Sequence, residues 1–155
     1  MNNQLNIPVG ISDFKKIREN DYYYIDKSGL IKELLKRESA EVTLITRPRR
    51  FGKTMGMSML AHFFDIRSDN RELFDGLEII RDEALCRAWM NQYPVIFLTL
   101  KDIDGLTFED AYERLAVQIS NLYKEHAYLL ESEDMDPDDR KLFKELKSGS
   151  AGKIQ

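Results

Sequence analysis

Residues 47–54 read Arg-Pro-Arg-Arg-Phe-Gly-Lys-Thr, and they lie between an apolar run and a helical pattern. The run, Val42-Thr43-Leu44-Ile45, has the composition of a buried strand, and residues 54–64 have that of a helix. Gly52-Lys53-Thr54 closes the segment in the manner of a phosphate-binding loop, and strand–loop–helix is the setting that makes such a motif specific. Few other features of the chain restrict its fold as much.

The chemistry follows from the backbone. A helix start carries unpaired N–H groups and the positive end of the peptide dipoles, so it attracts anions. Glycine at position 52 lets the backbone approach a phosphate without a Cβ in the way. In that arrangement Lys53 reaches the terminal phosphates and the Thr54 hydroxyl coordinates Mg²⁺, which makes Lys53 and Thr54 the candidate catalytic pair and Thr54 the metal ligand. Arg49, Arg50, Phe51, Gly52, Lys53, Thr54 and Met55 are the candidate nucleotide-binding residues. The full pattern begins with a glycine six residues before the lysine, where this chain has Arg47. Pro48 fixes its own φ and pushes Arg47 towards extended geometry, which stiffens the turn in the glycine's place. Arg47, Arg49 and Arg50 have two jobs open to them: neutralising a triphosphate, with Arg50 the nearest contributor, or contacting nucleic-acid phosphates.

Residues 45–54 resemble the loop of the predicted AAA-ATPase-like family of bacteria. Three further segments resemble it in the same order: Val9-Gly10-Ile11-Ser12-Asp13-Phe14, Tyr22-Tyr23-Tyr24-Ile25-Asp26-Lys27-Ser28, and Tyr93-Pro94-Val95-Ile96-Phe97-Leu98. Arginine in place of the first glycine is usual there. The resemblance implies ATP and Mg²⁺ as ligands, an ATPase-type activity, and a PD-(D/E)XK nuclease-like domain further along a longer chain. It also implies an apolar strand ending in acids (Walker B), and that motif is not found here. Asp102, after Lys101, is the nearest acid to such a position and reads better as a turn residue. The chain therefore reads as the N-terminal part of a nucleotide-binding domain over residues 1–147, followed by a flexible tail or linker over 148–155. Two alternatives to an ATPase stay open: a nucleotide-holding switch without turnover, and a nucleic-acid-associated scaffold.

The expected fold class is α/β, a P-loop NTPase-like three-layer sandwich with parallel strands, truncated before the acidic strand. Strands are expected over 42–46 and 94–100, the second apolar on both faces as in a central parallel strand. Two strands make too small a sheet, so others should come from downstream sequence, a partner chain, or segments 22–25 and 77–80. Helices are expected after Asp26 or Ser28, over 54–64 with Met55, Met59, Leu60, Phe63 and Phe64 on one face, near 82–91, from a Thr107 cap to about 130, and after Asp136-Pro137.

Composition narrows the partners. With 43% hydrophobic residues, 8 Phe and 7 Tyr, the chain has material for a core. A net charge of −4 does not indicate a broad nucleic-acid footprint, and no apolar stretch is long enough to span a bilayer. The single Cys86 suits a reducing compartment and reads as a packed thiol, so a soluble, cytoplasmic protein is expected. His62 and His126 read as structural, and Tyr22-Tyr23-Tyr24 either covers a nucleotide or leads into a half-buried element.

Overall fold

The structure, a computed structural model, describes residues 6–36, 41–101 and 103–149. The chain forms two compact units, Met1–Val95 and Ile96–Gln155.

In the first unit the helices are α1 (Phe14–Glu19), α2 (Gly29–Leu35), α3 (Lys53–Phe64) and α4 (Glu83–Trp89), with 3₁₀ turns at Arg71–Phe74 and Glu78–Arg81. Aromatic side chains make its centre. Phe14, Phe63 and Phe74 are fully buried, and their rings meet in a chain, Phe74 tilted 5.0 Å from Phe14 and edge-on 5.4 Å from Phe63. Met59 and Phe63 from α3 are fully buried, and Leu60 and Phe64 pack against the same cluster. The apolar face expected of α3 is therefore the core face, and its methionines fill volume. Asp13 caps α1 by accepting from the Lys16 amide at 3.3 Å, and Asp82 caps α4 through the Leu85 amide at 3.2 Å. Asp13 thus starts α1, and Phe14, the first residue of the helix, anchors the core.

The α/β sandwich is overturned. Among the described residues there is no strand, and one isolated parallel bridge, Asp65 to Tyr93, is the whole of the β pairing. The physical reason is the missing partner. A parallel strand exists through ladders to its neighbours and through cover on its faces. Residues 42–46 have neither, and Val42 is 84% and Leu44 83% exposed. The run 94–100 is irregular too, with Ile96, Leu98 and Leu100 exposed. Residues 22–25 form no strand, and the expected strand at 77–80 is the 3₁₀ turn Glu78–Arg81. Apolar composition marked these runs as fit for burial, and composition alone supplies no hydrogen-bonded neighbour.

The Glu78–Arg81 turn also explains a second correction. Asp26 or Ser28 is expected to cap α2; Ser28 stands at the cap position, but neither residue caps the helix with its side chain. Asp26 accepts from the Glu78 amide at 2.7 Å, and the fully buried Ser28 hydroxyl accepts from the Ile79 amide at 3.2 Å. Both residues cap an element about fifty positions away.

The second unit contains α5 (Phe108–Glu125), a 3₁₀ turn at Ala127–Glu131, and α6 (Pro137–Ser148). Thr107 and Asp110 form a reciprocal capping box at the start of α5, and Asp136 with Pro137 starts α6, both as the sequence suggests. The two helices pack through Tyr123 against Phe143, ring centres 4.6 Å apart, and through Ser120 Oγ donating to the Lys147 carbonyl at 2.7 Å. α6 runs through Ser148 and ends on Gly149 in the left-handed region. Of the expected tail, residues 150–155 lie outside the described ones. None of the described helices is long and apolar enough to cross a membrane.

Candidate phosphate-binding loop

The loop is held between an exposed extended segment and α3. Arg50 and Gly52 both have left-handed backbone, φ 67° and 74°. For Gly52 that conformation is free of penalty, whereas for an arginine it costs about 1–2 kcal/mol. Strain at a non-glycine residue in a loop is a pointer to function. Gly52 is the residue before α3, and its carbonyl accepts the first helical bond from the Gly56 amide at 2.9 Å. Gly52, at the cap position, has no side chain with which to cap this helix. The amides of Lys53, Thr54 and Met55 thus have no acceptor within the helix, as at any helix start.

Lys53 folds back over the loop. Its ammonium donates to the Arg47 carbonyl at 2.6 Å and the Pro48 carbonyl at 2.9 Å. Two of its three protons are so engaged, and the third points elsewhere. Arg47 and Pro48, standing where a glycine turn begins in the full pattern, therefore supply the acceptors that position the lysine. Lys53, Gly52 and Met55 are half-buried, while Arg49, Arg50, Phe51 and Thr54 are exposed. All seven predicted ligand-binding residues fall on this one turn and the first turn of α3.

A cleft of about 340 Å³ runs beside the loop, lined by Leu30, Glu33 and Leu34 of α2 and by residues 43–47. Arg47 is one of its lining residues, and the cleft is wide open.

One side chain at the loop escaped sequence reasoning. Lys27 Nζ lies 3.5 Å from the Phe51 carbonyl, and a Cβ built on Gly52 would stand 3.2 Å from it. The local sequence does carry a signal: Lys27 is bracketed by Asp26 and Ser28, two side chains suited to capping.

Other residues that tempt a functional reading have structural roles. Tyr24 donates to Met59 Sδ at 3.3 Å and meets Phe14 edge-on, and burial pushes its hydroxyl pKa up. It is a core residue, whereas Tyr23 is exposed. His62 Nε2 lies 3.9 Å from Asp13, and burial holds its pKa below the usual imidazole value. The Cys86 thiol is buried, donates to the Ile79 carbonyl at 3.4 Å and has a raised pKa from that burial. Asp102 lies outside the described residues. Among the described residues no group of three or more His, Cys, Asp or Glu side chains gathers as a metal site.

The chain belongs to the predicted AAA-ATPase family, whose pattern it matches over residues 8–153. It is also 40% identical over 91 residues to an uncharacterized protein encoded in the vnfD 5′ region of Azotobacter chroococcum mcd 1. That match covers 58% of this chain and 16% of the relative, so the chain corresponds to a small part of that protein's length. No solved structure matches. The family supports a nucleotide-binding and ATPase theme for the chain.

Proposed function

We propose that residues 47–54 bind the polyphosphate of a nucleoside triphosphate, ATP foremost, together with Mg²⁺. The observation that carries this reading is the join at Gly52. A left-handed glycine, with no side chain to cap it, opens directly into a twelve-residue helix, with the Lys53 ammonium drawn over the same turn. Amides at a helix start and a lysine beside them are what a β- or γ-phosphate needs. Arg49 and Arg50, exposed on the turn, add charge that draws the anion in. The open cleft lined by Arg47 and by Leu30, Glu33 and Leu34 of α2 is room that the rest of the ligand could use.

Thr54 fits the metal. Its side chain is exposed in the first turn of α3, and Mg²⁺ needs few protein ligands because it keeps several waters and phosphate oxygens. When bound, Mg²⁺ neutralises charge on the phosphates. Family membership supports ATP over other anions as the ligand.

Calorimetric titration of the chain with ATP and Mg²⁺ tests the reading. Saturable binding is expected, and Lys53→Ala should abolish it. Unchanged affinity in Lys53→Ala would refute the assignment.

A further inference from the structure

We propose that Lys27 is a second polyphosphate contact, a cation carried to the loop by a segment remote from it in sequence. This rests on the reading that residues 47–54 bind polyphosphate.

The argument begins with the two residues flanking it. Asp26 accepts from the Glu78 amide at 2.7 Å and from the Ser28 amide at 2.8 Å. Burial opposes ionisation of Asp26, but these two amide bonds, together with the Ser28 side chain and the charge of Arg18, outweigh it and hold the carboxyl below the usual carboxylate range. Ser28 is fully buried, with its hydroxyl accepting from the Ile79 amide. Asp26 and Ser28 therefore clamp this stretch of backbone onto the 3₁₀ turn Glu78–Arg81. Lys27, between them, is exposed and faces the other way, onto the loop.

Its position is specific. The ammonium sits against the Phe51 carbonyl and over the Cα of Gly52, the residue at which the loop becomes α3. The bond to Phe51, at 3.5 Å, is at the outer limit for a hydrogen bond and engages one proton of three. Lys53 reaches the Arg47 and Pro48 carbonyls, at the other end of the same turn. Two ammonium groups thus flank one loop, Lys53 held by two loop carbonyls and Lys27 lightly tethered by one. A polyphosphate carries several negative charges and accepts from both, so each ammonium exchanges neutral carbonyl acceptors for anionic ones. An exposed lysine placed only to brace a turn has no need of its charge.

The charge separates the two roles. Lys27→Gln keeps an N–H donor without charge, Lys27→Met keeps neither, and Lys27→Arg keeps the charge. Binding of ATP with Mg²⁺, and of inorganic tripolyphosphate, is measured by calorimetry on the full chain, with Lys53→Ala as reference. The proposal expects Lys27→Gln and Lys27→Met to weaken both ligands by about ten- to a hundredfold, the span of a lost hydrogen bond to a charged group. Lys27→Arg should stay within a few-fold of the native chain, and unfolding midpoints should barely move because the side chain is exposed. Native-like binding by Lys27→Met, or by Lys27→Gln while Lys27→Met is impaired, overturns the proposal and leaves the loop reading intact, provided Lys53→Ala still fails to bind. Absence of binding by the native chain overturns both.

Discussion

Replacing Gly52 by alanine tests the loop geometry and the lysine beside it in one experiment. The backbone there has φ 74°, a conformation that costs an L-residue about 1–2 kcal/mol. The new Cβ would also stand 3.2 Å from Lys27 Nζ. That neighbour is the far end of an exposed, flexible side chain, so it yields by a few tenths of an ångström and adds little to the loss. Gly76 isolates the backbone part, since it has φ 77° and nothing within 4 Å of an added Cβ. Gly56 provides the opposite sign. It lies inside α3, where alanine is favoured by about 0.5–1 kcal/mol, and its Cβ would meet Leu30 Cδ2 at an ordinary 3.8 Å. Urea unfolding should therefore show Gly52→Ala and Gly76→Ala destabilised alike by about 1–2 kcal/mol, and Gly56→Ala stabilised. In heat, 1 kcal/mol corresponds to roughly 4–8 °C for a unit of this size. Only Gly52→Ala should also weaken ATP, because only there does the new Cβ stand where the phosphate approaches, beside the Lys27 ammonium. A Gly52→Ala chain as stable as the native one would refute the left-handed turn. A loss far beyond that of Gly76→Ala would show Lys27 to be rigidly locked, contrary to its proposed role.

The remaining predictions concern what supports the loop. Ser28→Ala leaves the Ile79 amide buried without its acceptor and should cost about 1–3 kcal/mol in urea unfolding, with Ser28→Thr a poor rescue because the site is fully buried. Phe63→Ala removes a ring in contact with Phe64 and Phe74 and should cost about 3–5 kcal/mol, with a broadened thermal transition if the core collapses around the gap. His62 binds its proton less readily folded than unfolded, so stability should fall as pH drops through about 6.5 towards the lower folded value, and His62→Gln should flatten that part of the profile. Asp26 has the same sign at lower pH: its contribution is present above the ordinary carboxylate range and disappears as pH falls through its depressed folded pKa, a step absent in Asp26→Asn.

How much of this was legible in the sequence depends on the range of the interaction. Helix starts are local, and Thr107 with Asp110, and Asp136 with Pro137, begin α5 and α6 as the residues suggest. The face of α3 is set by helical spacing, and Met59 and Phe63 are buried accordingly. The grouping of Arg49 to Met55 on one turn was legible because a loop followed by a helix is contiguous in sequence. Strands were not, since the runs at 42–46 and 94–100 fit a sheet by composition but have no ladder partner here. Asp26 and Ser28 show the same limit from the other side. Their capping chemistry was recognised, but the amides they cap belong to Glu78 and Ile79, which no local pattern could indicate. Lys27 was missed for that reason: its approach to Gly52 depends on a clamp made across fifty residues.

The most direct measurement of the central claim is an amide ¹H–¹⁵N spectrum of the chain titrated with ATP and Mg²⁺. If the start of α3 receives the polyphosphate, the largest shifts fall on Gly52, Lys53, Thr54 and Met55, and they disappear in Lys53→Ala. Shifts confined to other segments, or none at millimolar ATP, would contradict the account.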